Sequence, residues 1–399
     1  MKKIPKVAVL IDRLNVGGVE KIAIEEVRAL RNLGEDAYFV VLRRKGLVDD
    51  AFLDLRKNLP TIYLDDRLPN LLKFSFKFPL FNFFSLFHIT YPFLIPFVVR
   101  EKDFDYIIVH GTYTAFTAVV LKKIKKIRYS VFIWDPIGYI LERVYSKKLS
   151  IFTNFFTKLA KFLDKLIINN SDFVLAGGDA HNDYIKKINS KVNIKIIPPS
   201  VHPLKKIIND KKDYILMVTA WKKGKNPEYI FKLIEKIPQI RIKMVGKWLD
   251  LSYRKEFQEK LKENKFFNNV DIVGEVSEKE LSKYYSQAIA LLQTNDDRGF
   301  GMPALEAAGH GTTFIIPRGQ GVCNLFKNNI EGFYTKELDT QSIVKYLRKL
   351  LSDKNTALDM GKRGWEKVIN NYSWNKHARQ LINVIGGKVN FIKSLKLQG

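Results

Sequence analysis

AIALLQTNDDRGFGMPALEAAGHGTTFIIP, residues 288–317, settles the architecture of this chain. An apolar run (288–294) leads into a loop holding Gly299 and Gly301. A helix follows from Pro303, and a second apolar run rich in β-branched residues closes the unit at 312–317. Strand, glycine loop, helix and strand in this order describe parallel strands joined by a crossover helix. The glycines let backbone amides approach a ligand, and proline suits a first helical turn. Unsatisfied amides at a helix N-terminus, together with the helix dipole, form a pocket for a diphosphate. Glu306, three residues into the helix, is placed to accept hydrogen bonds from a ribose diol. The same spacing also fits a plain strand–turn–helix junction in which Glu306 only complements the dipole. The residues alone leave both readings open.

The alternation extends in both directions. Upstream stand DYILMVT (213–219), a helix from Pro227, IRIKMVG (240–246), a helix over 252–264, VDIVG (270–274) and EKELSKYYSQ as a helix. Earlier still lies a complete series of its own: KVAVLID (6–12), the amphipathic GVEKIAIEEVRALRNLG (18–34) with Gly34 as its stop, DAYFVVLRR, DYIIVHG (105–111), YSVFIWD (129–135) and DFVLAGG (172–178). Two such series predict two doubly wound domains. NIKIIPPSVHP (193–203), stiffened by Pro198, Pro199 and Pro203, is the expected link between them. The predicted domains are 1–195, 196–372 and a C-terminal helix, 373–399, that crosses back to the first.

Composition bounds the function. The 399 residues suit two domains. One cysteine, Cys323, excludes a disulfide framework and a cysteine-rich metal site, which fits a cytoplasmic protein. The net charge of +26 favours an anionic partner, but no RNA- or DNA-reading motif accompanies it. The first residues read as a strand and not as a secretory signal. FPLFNFFSLFHITYPFLIPFVV (78–99) is long enough to span a bilayer. Its Pro79, Pro92 and Pro96 are expected to break a spanning helix, so an interfacial or buried helical hairpin is expected instead. A second apolar stripe, Phe152, Phe155, Phe156, Leu159, Phe162, Leu163 and Leu166, follows helical spacing among lysines.

Residues 299–307 resemble the signature of family-four glycosyltransferases, retaining enzymes of GT-B fold. Gly299, Phe300, Gly301, Met302, Pro303, Glu306 and Ala307 match the pattern. The resemblance implies an α/β GT-B fold, two Rossmann-like domains facing a central cleft. It gives Glu306 the ribose of a nucleoside diphosphate sugar. Arg298 stands where the family has a sugar-contacting glutamate, with Asp297 and Asp296 beside it as substitutes. Over 215–231 the resemblance places Lys225 at the donor diphosphate, and Ala220 occupies the usual arginine position. NVGGVEK (15–21) resembles the family's first loop, with Gly17 and Gly18 toward phosphate and acceptor. VHGTYTAF (109–116) and IWDPIGY (133–139) resemble strand ends that line the cleft. His110 and Asp135 are the candidate catalytic side chains there, alongside Lys225, while Trp134 occupies the place where relatives carry a histidine. The family uses helix dipoles and basic side chains where other transferases use a metal, so no metal or cofactor is expected.

The reading implied is retaining transfer of a hexose from a nucleoside diphosphate sugar to a glycan or lipid-linked acceptor, on the inner face of the cell membrane, with no nucleic-acid partner. Two alternatives remain at this level. One is a catalytically weakened GT-B scaffold, suggested by Arg298 and Ala220. The other is a nucleic-acid-binding α/β protein, suggested by charge alone.

Overall fold

The computed structural model describes residues 5–14, 17–43, 56–69, 86–100, 103–142, 150–294 and 299–386, without the side chains of 86–89 and 150–153. The chain divides into two compact units. One comprises Met1–Pro199 with Trp374–Gly399, the other Ser200–Ser373.

The first unit is built on seven parallel strands: β1 (Lys6–Ile11), β2 (Asp36–Val41), β3 (Thr61–Tyr63), β4 (Tyr106–His110), β5 (Arg128–Phe132), β6 (Val174–Ala176) and β7 (Ile194–Ile196). Their order is β3-β2-β1-β4-β5-β6-β7. β1 and β4 are buried along nearly their whole length. Strands covered by helices on both faces read as continuous Val/Ile/Leu runs for this reason. Each fully buried aliphatic side chain contributes about 1.5–3 kcal/mol. The helix Gly18–Asn32 turns Ile22, Ala23, Val27 and Leu30 inward, and Gly34, at φ +88°, lies just beyond its C-terminus as the sequence predicts. The order reverses between β1 and β4. Open sheets of this kind bind ligands beyond the C-terminal ends of the strands at such a switch.

The second unit repeats the plan with β8 (Ile215–Val218), β9 (Ile242–Val245), β10 (Val270–Gly274), β11 (Ala290–Leu292), β12 (Thr313–Pro317) and β13 (Phe333–Thr335). All are parallel in the order β10-β9-β8-β11-β12-β13, with the switch between β8 and β11. Both halves are therefore Rossmann-like.

Two expectations need correction. The stretch read as a linker begins as β7, whose Ile194 and Ile196 pair with Val174 and Ala176. Pro92 and Pro96 do not break their segment, because Leu86–Val98 is one helix containing both. Both prolines are buried on the side that also buries Tyr91 and Ile95, and this helix packs on Thr112–Lys125. Tertiary packing there offsets the lost backbone bonds. The predicted helical pattern over 78–85 lies outside the described residues. On Ser150–Asn170 the apolar stripe divides: Phe155 and Phe162 are 64% and 61% exposed, whereas Phe156 and Leu166 pack partly buried beside the buried Ala160, Ile167 and Ile168.

Candidate functional site

In the second unit the site grows from the two strands at the switch. Beyond β11 the described chain resumes at Gly299, and Gly301 caps the helix Met302–Gly309 at φ +88°. A Cβ at Gly301 would lie 2.4 Å from Gln320 Oε1 and 2.8 Å from Val322 Cγ1. Glycine is thus required both by the left-handed backbone and by lack of room. The carbonyls of Gly299 and Phe300 accept from the amides of Gly321 and Val322 at 3.1 and 2.7 Å. That clamp fixes the turn ahead of the helix. Pro303 has no N–H and the Ala304 amide donates to the Gly301 carbonyl at 3.0 Å, which leaves the Met302 amide at the helix start, where the dipole adds partial positive charge. Such a terminus suits a diphosphate.

Glu306 lies one turn into the same helix and is partly exposed. Its Oε2 accepts from the hydroxyl of Tyr285 at 2.7 Å. Burial, then the neighbouring carboxylate, pushes the Tyr285 hydroxyl well above its ordinary pKa, so it stays a donor and orients Glu306. His310 stacks on Tyr285 at 5.3 Å and contacts the Glu306 carbonyl at 2.7 Å and Ser282 Oγ at 2.9 Å. Sequence reasoning missed Tyr285, His310 and Gln320. Asp297 and Arg298 lie outside the described residues.

Beyond β8, Lys225 ends a short 3₁₀ turn, Lys223–Lys225, that closes on left-handed Asn226. Lys225 is partly exposed. Trp221 anchors this loop, fully buried, with Nε1 donating to the Val245 carbonyl at 3.2 Å and its ring stacked on Trp248. Gly246 permits the close approach of β9, since a Cβ there would meet the Thr219 carbonyl oxygen at 2.0 Å. β8 pairs with β11, so the loops bearing Lys225 and Gly299–Met302 leave neighbouring strands at the same end of the sheet.

In the first unit the predicted residues gather at the corresponding end of the other sheet. Gly17 is the extended N-cap of the helix Gly18–Asn32. Asp135, beyond β5, is exposed, with Oδ1 3.8 Å from His181 Nε2. His110 is different. Its side chain has no exposure, Nε2 lies 2.8 Å from Glu26 Oε2, and Trp134 Nε1 donates to its Nδ1 at 3.0 Å. Both ring nitrogens of this candidate catalytic residue are thus occupied by protein partners. Asp164 accepts from the Gly138 amide at 2.8 Å and the Tyr184 hydroxyl at 2.6 Å, and thereby holds the turn that follows Trp134 and Asp135. Burial pushes Asp164 up to about 6, against the lowering pull of those donors. Among the described residues no group of His, Cys, Asp and Glu is arranged to hold a metal ion.

Two family profiles tile the chain. One described as Glycosyltransferase Family 4 matches residues 16–203, and one described as Glycosyl transferases group 1 matches residues 202–367. An uncharacterized glycosyltransferase of Methanocaldococcus jannaschii is 26% identical over 117 residues, 29% of this chain and 30% of that protein. The chain thus matches about three tenths of that curated relative's length. Among solved structures, sucrose-phosphate synthase from Thermosynechococcus elongatus superposes with a TM-score of 0.76 at 16% identity, covering 96% of this chain and 99% of that one. Anabaena HepE, in a complex with UDP and glucose, gives 0.71 at 13% identity over 96% and 99% of the two chains.

Proposed function

Because this chain is a family-four-like glycosyltransferase of GT-B architecture, we propose that it moves a hexose, with retention, from a nucleoside diphosphate sugar to a glycan or lipid-linked acceptor at a membrane surface. The observation that carries this reading is the clamped Gly299–Met302 turn, with Glu306 held by Tyr285 one helical turn on. The Met302 amide and the dipole of this helix receive the diphosphate, and Glu306 the ribose diol. Lys225, from the adjacent strand's loop, meets the charge that develops on the leaving group, where a fixed cation acts most strongly. Asp135 and the Gly17–Gly18 turn serve the acceptor side. No metal is assigned to this chemistry.

The membrane part of the reading rests on exposed aromatics. Phe93 and Phe97 of Leu86–Val98 are 54% and 85% exposed, and Phe155, Leu159 and Phe162 form an outward stripe on Ser150–Asn170. Both helices pack on Thr112–Lys125, whose Ile124 is also exposed. Lys123, Lys158 and Lys165 are exposed on the same helices. Phenylalanines that enter the acyl boundary beside lysines facing anionic head groups suit an interface. Among the described residues no helix is long and apolar enough to cross a membrane.

A thermal-shift panel of UDP, GDP, ADP and their sugars tests the donor assignment. A ligand that binds only the folded state raises apparent stability. At least one nucleoside diphosphate should raise Tm, and Glu306→Ala should abolish most of that rise without changing the unliganded Tm greatly. A panel with no response, or an equal response in the variant, would remove the donor site from this turn.

A further inference from the structure

Glu26 is wholly buried in the helix Gly18–Asn32, on the stripe it shares with Ile22 and Leu30. Its Oε2 meets His110 of β4 at 2.8 Å and its Oε1 meets Nε2 of His377, on the helix Trp374–Gly386, at 2.8 Å. His377 Nδ1 lies 2.6 Å from the Pro198 carbonyl oxygen. All these residues belong to the first unit.

Hydrogen-bond chemistry fixes where the protons are. An indole N–H can only donate, so the His110 nitrogen facing Trp134 is bare and the proton sits on Nε2, pointing at Glu26. A carbonyl can only accept, so His377 carries a proton on the nitrogen facing Pro198. The remaining contact, His377 Nε2 to Glu26 Oε1, needs one more proton, whichever atom holds it. Burial raises the Glu26 carboxyl, but the histidines bonded to its two oxygens outweigh this and lower it below the ordinary carboxylate value. Ring stacking reinforces the chain: Phe132 lies 4.8 Å from His110, 5.2 Å from Trp134 and 6.2 Å from His377, all nearly parallel.

The geometry points to Glu26, His110 and His377 as positioning residues that set the Trp134 indole at the end of β5 from the C-terminal helix. This inference rests on the reading of the β5 end as part of the acceptor side. A shared proton also leaves the buried cluster without net charge, the arrangement that buried ionisable groups require.

Glu26→Gln is the informative variant. A glutamine carbonyl can accept from His110 and its amide can donate to a neutral His377, so every contact survives. Glu26→Ala removes the hub. Ring-¹⁵N spectra of histidine- and tryptophan-labelled protein, with the Trp134 indole assigned through Trp134→Phe, should show His110 as the Nε2–H tautomer. The Trp134 resonance should move in Glu26→Ala and return in Glu26→Gln. Turnover should fall by up to about a hundredfold in the alanine variant, the size of a misplaced contact, and recover with glutamine, while KM for donor changes little. A His110 proton on Nδ1 in the wild type overturns the inference even if the alanine variant fails to fold. So does a Trp134 resonance that is the same in Glu26→Ala as in wild type. Expected spectra from a protein that transfers no sugar would leave the relay standing and sink only the acceptor-side reading.

Discussion

Gly301 and Asp164 each decide the shape of a loop at a strand end. Gly301 combines φ +88° with neighbours that a Cβ would touch at 2.4 and 2.8 Å. The left-handed backbone alone costs an alanine about 1–2 kcal/mol. Gly301→Ala should therefore lose at least about 2 kcal/mol by urea titration, part of it from displacing Val322. An unchanged midpoint would show that the turn relaxes freely. Asp164 carries the opposite kind of information, through pH. Its folded pKa of about 6 lies above the ordinary aspartate value of 3.8, so the folded state binds its proton more tightly than the unfolded state does. The stability this contributes is fully present below about pH 4 and is lost as pH rises through about 6, a change of about 3 kcal/mol. Asp164→Asn keeps an acceptor for Tyr184 and Gly138 and removes the ionisation. The stability difference between variant and wild type should therefore grow in the variant's favour from pH 4 to 7, measured by denaturant midpoints. A constant difference would contradict the assignment.

Elements were legible in the sequence to different degrees, for physical reasons. The long helices and buried strands declared themselves by period, and the Gly299–Glu306 pattern located the candidate donor site before any coordinates. β3, β7 and β13 span Thr61–Tyr63, Ile194–Ile196 and Phe333–Thr335, three residues each and without the longer apolar run that marked the equally short β6 and β11. The role of His110 was hidden because its partner Glu26 lies 84 positions away. The one available signal was a carboxylate on the apolar stripe Ile22–Glu26–Leu30 of an otherwise regular amphipathic helix. Pro92 and Pro96 misled because propensity cannot see the helix they pack against. The same helix layer yields a prediction at this scale. Wild type should float with anionic vesicles at low salt, and replacing Phe155, Leu159 and Phe162 together by Ser should reduce flotation while nucleotide binding persists. Each basic residue near the surface adds about 1 kcal/mol, screened by salt, so binding should fall partly and not wholly as salt rises. Absence of flotation by the wild type would remove the membrane from the account.

At the scale of the molecule, two parallel sheets each reverse order once, and candidate residues lie at both reversal points, with Asp135 one strand further on. The net charge of +26 then suits both an anionic donor and an anionic surface, without any nucleic-acid motif. The departures at Arg298 and Ala220 make turnover, and not fold, the decisive quantity. The most direct measurement is proton NMR of the sugar released or transferred when purified protein meets the nucleoside diphosphate sugar that stabilises it most. The account predicts that the first product carries the donor's anomeric configuration, and that Lys225→Ala slows its appearance about a hundredfold, as for loss of one charge-stabilising group. An inverted first product would contradict retention, and a rate no faster than the donor's breakdown in buffer would contradict glycosyl transfer itself.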